Sequence, residues 1–71
     1  MNRYRLTIYF PDKSNIVTTI SSSLDIDEFA SEVLQKFNVK DNTFISFIGD
    51  DIKYNINKNN ILFYTIKLES R

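Results

Sequence analysis

Between Leu24 and Val39 the chain reads LDIDEFASEVLQKFNV, and no other stretch restricts the fold as tightly. Ile26, Phe29, Ala30, Val33, Leu34 and Phe37 recur at three- and four-residue intervals, the spacing of one continuous face on a 3.6-residue period, and predict a helix over Ile26 to Phe37. Asp27, Glu28, Ser31, Glu32, Gln35 and Lys36 fill the opposite side. Asp25 is placed to cap the helix by accepting from the Glu28 amide, with Leu24 and Phe29 at the positions of a hydrophobic staple. Asp25, Asp27 and Glu28 complement the positive end of the helix dipole and Lys36 the negative end. Asn38 is expected in the left-handed conformation after the last turn, with Val39 folding back onto Leu34. Leu34 itself is read as buried, so that its replacement by alanine costs on the order of 2–5 kcal/mol.

A helix with one apolar face needs a layer to lie on, and the flanking sequence supplies strands. Arg3 to Phe10 alternates, with Tyr4, Leu6, Ile8 and Phe10 on one face and Arg3, Arg5, Thr7 and Tyr9 on the other. Pro11 to Asn15 carries turn chemistry. Ile16 to Ser21 returns as a second strand with Ile16, Thr18 and Ile20 inward, although Val17 and Thr19 compete for that face. The three serines Ser21 to Ser23 lead into the helix as a polar connector. After it, Lys40 to Asn42 makes a loop and Thr43 to Ile48 a strand with Ile45 and Phe47 opposed to Phe44, Ser46 and Ile48. Gly49, the only glycine, is expected at positive φ in a turn with Asp50 and Asp51. Ile52 to Ile56 and Ile61 to Leu68 complete the set, separated by Asn57 to Asn60. In the last strand Leu62, Tyr64, Ile66 and Leu68 share a face.

The order is therefore ββαβββ, and the fold class α+β: a single antiparallel or mixed sheet with one helix on one face, in one domain over residues 1–71. A hairpin, a helix, a strand pair turning at Phe47-Ile48-Gly49-Asp50-Asp51 and a basic-leaning last strand resemble the pattern of ubiquitin-like β-grasp domains. The link before the last strand is shorter than that pattern uses. The chain ends at Glu69-Ser70-Arg71 without the diglycine of a conjugated modifier, so the resemblance implies topology and not a modifier role.

Composition sets limits on chemistry. A chain of 71 residues buries roughly 60% of the surface its unfolded state exposes, a thin core. With 42% hydrophobic and 14% aromatic residues it lies well outside disordered composition. Having no cysteine and no histidine, it has no route to a disulfide scaffold, a thiolate or imidazole metal site, or a nucleophilic mechanism built on Cys or a His base. Nine basic residues balance nine acidic ones, which leaves no global field for nucleic acid or an anionic membrane. The amino-terminal apolar stretch is short and interrupted, unlike a signal peptide, and no run approaches the roughly 20 apolar residues of a membrane span. The expectation is a soluble cytoplasmic chain. Its leaning on Ile, Asn, Lys, Phe and Tyr suits an AT-rich genome, such as that of a low-GC bacterium, its phages or its plasmids.

Carboxylates are the only candidates for acid and base work. Asp50 and Asp51 are adjacent on a turn and diverge, and with Asp12 or Asp41 they have none of the spacing of a cation-binding loop. A single glycine excludes a glycine-rich phosphate loop. No catalytic residue, metal ligand or cofactor is assigned, and the chain is read as a non-enzyme.

The informative feature is the sheet face opposite the helix. There Tyr9, Phe44, Ile48, Ile61 and Phe63 point outward among Arg3, Arg5, Lys53 and Lys67. Large apolar side chains gathered on an exposed face mark an interface, since monomers rarely leave patches of several hundred Å² open. A one-residue error in register would move each of them to the core side. The primary expectation is a small protein-binding module, an inhibitor or regulator from a phage or mobile element, self-associating as a homodimer through this face. The alternative is a single-stranded nucleic-acid binder, with Tyr9, Phe44 and Phe63 as a stacking platform and the basic residues as a phosphate rim. A third surface, the acidic helix face of Asp25, Asp27, Glu28 and Glu32, would meet a basic partner.

Overall fold

β1 (Asn2–Tyr9) is the strand around which the others gather. In the computed structural model, which describes residues 1–40 and 43–70, Tyr4, Leu6 and Ile8 of this strand are sealed from solvent. Their alternation is what puts them on one face, and β1 sits centrally because strands pair with both of its edges. β2 (Asn15–Ser22) lies antiparallel on one side, opposing Ile20, Thr18 and Ile16 to Tyr4, Leu6 and Ile8. β5 (Phe63–Ser70) lies antiparallel on the other, opposing Leu68, Ile66 and Tyr64 to the same residues. The inward faces expected of β1, β2 and, from Tyr64 onward, β5 are those observed. Ahead of β5 the expectation fails, since Leu62 is 62% exposed and Ile61 packs against the core instead, a 3₁₀ turn having broken the alternation there.

The β1–β2 turn is built as its residues suggest. Pro11 and Asp12 occupy a turn closed by Lys13 N–H to the Phe10 carbonyl at 3.1 Å, and Lys13 takes φ 73° before Phe10 N–H reaches the Ser14 carbonyl at 3.0 Å. A type I turn followed by one left-handed residue is a common three-residue hairpin connection.

The helix α1 spans Ile26–Phe37, the bounds its periodicity and cap predict. Asp25 Oδ1 accepts from Glu28 N–H at 2.9 Å. Phe29 and Val33 are buried, and Phe29 stacks on Tyr4 with ring centroids 4.3 Å apart and planes 7° from parallel. The Tyr4 hydroxyl donates to the Leu24 carbonyl at 2.5 Å, joining β1 to the start of the helix. At the other end Asn38 is not left-handed: it stays at φ −89°, ψ 0°, its N–H shared between the Gln35 and Leu34 carbonyls. The free carbonyls there are met from a distance in sequence by Lys58, whose ammonium donates to Phe37 O at 3.4 Å and to Val39 O. A cation at a helix C-terminus also suits the dipole.

Leu34 is 50% exposed and Val39 45%, so neither the burial of Leu34 nor the fold-back of Val39 holds. The buried stripe is narrower than the periodicity suggested and is centred on Phe29 and Val33. Replacing Leu34 with alanine is expected to lower stability by less than about 1.5 kcal/mol, half or less of what full burial would give; urea unfolding followed by circular dichroism measures it.

β3 (Phe44–Gly49) and β4 (Ile52–Asn57) form a second antiparallel sheet. The expected single sheet is thus two: β2-β1-β5 and β3-β4. The break lies between β2 and β3, which touch at one corner. There the Thr19 N–H donates to the Asp50 carboxylate at 3.1 Å rather than to a β3 carbonyl, so no backbone ladder continues across. The ubiquitin-like reading rested on element order, which is observed; the single sheet it implies is not.

The turn joining β3 and β4 holds Asp50 at φ 52° and Asp51 at φ 62°, while Gly49 is not at positive φ. Two successive left-handed residues are the geometry of a two-residue type I′ hairpin. Gly49 is required for room: a Cβ there would stand 2.1 Å from Thr18 Oγ1 and 2.7 Å from the Thr19 carbonyl oxygen. A short 3₁₀ turn, Lys58–Asn60, delays β5 to Phe63, two residues later than the alternation predicts. Ile45, Phe47 and Ile56 bring the second sheet into the same core as Tyr4, Leu6, Ile8, Phe29 and Val33. The loop and cation-site readings that involve Asp41 and Asn42 lie outside the described residues.

Candidate interaction surface

The face of the three-stranded sheet turned away from α1 is built from rungs read directly off the register. Arg5 stands between Thr19 and Lys67, Thr7 between Val17 and Thr65, and Tyr9 between Asn15 and Phe63. Tyr9 and Phe63, directly opposed, stack with centroids 4.4 Å apart and planes 17° from parallel. Cross-strand aromatic pairs of this kind are favourable beyond the area they bury. Phe63 nevertheless remains 49% exposed and Val17, two strands away, 50%. Between them Thr7, although outward-facing, is only 7% exposed, so the middle of this face is already dry.

The charges around this apolar centre are not equivalent. Arg5 Nε is 2.5 Å from Glu69 Oε1, and an exposed pair of this kind adds little stability. Its effect here is to occupy Arg5. Glu69 reaches Arg5 because β5 slips register after Leu68, where Arg3 pairs with Ser70 instead of Glu69. Lys67 and Arg3 have no ion-pair partner among the described residues and are exposed. The rim is therefore positive, through Arg3 and Lys67.

Of the residues predicted for the interface, Arg5, Tyr9, Phe63 and Lys67 come together on this face. Phe44 and Ile48 do not join them. They are 60% and 67% exposed on the outer side of the second sheet, opposite Asn57 and Lys53. The sequence pattern has the outward direction of both residues right and the sheet wrong. Val17 belongs to the surface, although the sequence lets it compete for the inward face; its pairing with Thr7 is the fact that separates the two, and no local signal carries it.

A groove of about 420 Å³ opens where β2 and β3 diverge, lined by Ile20, Phe29, Val33, Lys36, Phe47 and Ile48. The Lys36 ammonium stands 5.7 Å from the Phe47 ring centroid. No pair of acids faces into this groove, and its lining offers Glu32 as the only carboxylate.

Three other carboxylates have structural duties. Asp12 accepts from the Ser14 hydroxyl at 2.5 Å and from Ser14 N–H at 3.0 Å, and these bonds hold its carboxyl below the usual range, the hydroxyl contributing most. Asp25 caps α1 and Asp50 holds Thr19. Among the described residues no group of three or more acidic side chains is arranged to hold a metal ion, and no helix is long and apolar enough to cross a membrane. Comparison with protein-family models, with curated proteins and with solved structures finds no match to this chain.

Proposed function

We propose that the chain is a small non-catalytic protein-binding module whose contact surface is the outer face of the β2-β1-β5 sheet. The observation that carries this is the stacked Tyr9–Phe63 pair, half open to solvent beside an already dry sheet centre and next to exposed Val17. Aromatic anchors ringed by charge are the usual make-up of a binding hot spot. The positive rim of Arg3 and Lys67 suits a partner presenting an apolar patch with acidic neighbours. The AT-rich residue usage fits a phage or mobile-element inhibitor or regulator acting in the cytoplasm.

The test is selection of short peptides from a random displayed library against the purified chain, followed by mapping of their contacts through amide chemical shifts. Contacts at Tyr9, Val17, Phe63 and Lys67 are expected. Phe63→Lys should weaken binding at least about tenfold, the scale of a hot-spot residue, and lower the thermal midpoint by only several degrees through loss of the Tyr9 stack, the chain staying folded because Phe63 is half exposed. Peptides that map to the groove between β2 and β3 would contradict the reading.

The same stack flanked by Arg3 and Lys67 also supports a second reading, a platform for single-stranded nucleic acid. Titration with oligothymidylate separates the two: binding that falls steeply with salt supports the nucleic-acid reading, and no binding leaves the protein partner.

A further inference from the structure

The sheet that carries this surface has two outer edges, and they are not alike. Thr19 turns its N–H and carbonyl away from β1, toward Asp50 and Gly49. Hydrogen bonding alternates along an antiparallel ladder, so the even-numbered residues of β1 bond β2 and the odd-numbered ones bond β5. Tyr9, whose carbonyl accepts from Leu62 N–H at 2.8 Å, follows that alternation. In β5 this leaves the backbone groups of Tyr64, Ile66 and Leu68 pointing off the sheet. The β2 edge is blunted by Asp50 and Gly49. The β5 edge carries no proline, glycine or bulge between Phe63 and Leu68, and among the described residues no strand pairs with it. Natural sheets rarely leave such an edge open.

The helix runs from the central strand toward this same edge. Phe29 stacks on Tyr4 of β1, and Phe37 stacks on Tyr64 of β5 with centroids 4.7 Å apart. Side chains advance about 100° per residue around a helix. The flank of Phe29, Glu32 and Lys36 faces the groove toward β3, and the flank of Ala30 and Leu34 lies on the side of β5. Leu34 is 50% exposed there, and Ile26, near the start of the helix, 41%.

We propose that a second copy of this chain occupies the β5 edge, pairing β5 with β5 antiparallel about a two-fold axis at Ile66. Self-pairing is favoured by what the strand presents. With Ile66 opposite itself, Tyr64 meets Leu68 of the second copy on the helix side, and Thr65 meets Lys67 on the other. Every residue of the regular stretch from Tyr64 to Leu68 is paired, and no like charges are opposed. The neighbouring register centred on Lys67 sets two ammonium groups against each other, which is unfavourable. The helices also fit. An axis lying over β1 and β5, with strands spaced about 4.8 Å apart, brings the two copies of α1 to about 10 Å, the distance of packed helices. Because Phe29 stands over Tyr4 and Phe37 over Tyr64, the level of Ile66 falls near Val33, so the Leu34 side chains of the two copies meet across the axis. The outer faces of both sheets then join into one platform. This inference does not depend on the outer-face reading.

Sedimentation equilibrium of the full chain at several concentrations and two salt levels tests it. The expected result is a dimer little affected by salt, which Leu34→Lys converts to a monomer with an unchanged circular dichroism spectrum and which Phe63→Lys leaves intact. Ile66→Pro removes an edge-pointing N–H together with an inward-facing side chain and should give a folded but less stable monomer, whereas Thr65→Pro breaks the β1 ladder and should unfold the chain. A wild-type monomer up to several hundred micromolar overturns the proposal. So does a dimer that Leu34→Lys preserves, or one that Phe63→Lys dissolves, which would place the contact on the outer face.

Discussion

Replacing Phe29 with alanine is expected to cost about 3–5 kcal/mol, the range for a large aromatic lost from a core. Phe29 is 5% exposed and lies flat on Tyr4, which is fully buried and ties β1 to the start of α1 through its hydroxyl. Removing the ring takes away the floor of the helix and leaves Tyr4 facing a void. A domain of 71 residues has roughly 4–11 kcal/mol of stability in total, so this one change removes about a quarter of it or more. Urea unfolding by circular dichroism should show the midpoint falling sharply at unchanged slope. A loss under about 1 kcal/mol would mean that α1 does not sit on Tyr4.

Gly49→Ala is the second large effect. The added methyl would stand 2.1 Å from Thr18 Oγ1 and 2.7 Å from the Thr19 carbonyl oxygen. A side chain can turn away, but the carbonyl belongs to β2 and is held by its ladder to β1. The β3–β4 hairpin must therefore swing outward, breaking the bond from Thr19 N–H to Asp50 and loosening Ile45 and Phe47 in the core. Overpacking of this kind costs typically about 1–3 kcal/mol, and more where backbone must move. Because Gly49 is not at positive φ, alanine adds no backbone strain, and the whole effect reports on space. Thr18 Oγ1 is buried with no hydrogen-bond partner. Thr18→Ala in the same chain should restore part of the loss, through the contact it removes, and not the part due to the Thr19 carbonyl. A double-mutant cycle measures that coupling, and full additivity would contradict the close approach.

These two sites mark the border between what the sequence shows and what it hides. The helix bounds were legible because cap, staple and periodicity coincide at Asp25 and Ile26. The inward faces of the strands were legible where alternation is nearly uninterrupted, in β1 and β5, and less so in β2, where Val17 and Thr19 compete; Phe29 and Val33 followed from helical spacing. What was hidden depends on contacts between distant residues. Gly49 looked like a turn glycine, yet its neighbour in space is Thr18, and Asp50 and Asp51 take the left-handed positions instead. The helix C-terminus is capped by Lys58, which no local pattern joins to Phe37. The division into two sheets rests on Thr19 bonding a carboxylate, and it is this division that separates Phe44 and Ile48 from Tyr9 and Phe63. Leu34 matched the apolar stripe, but burial depends on how wide a face the sheet can cover.

The β5 edge connects the sheet, the helix flank and the outer face, and residue-resolved amide hydrogen exchange examines it most directly. The amides of Thr65 and Lys67 face β1 and should be protected at every concentration. Those of Tyr64, Ile66 and Leu68 should exchange quickly in dilute solution and become protected as concentration rises, because each gains a partner only from a second copy. Rapid exchange at Tyr64, Ile66 and Leu68 even at high concentration would contradict the account.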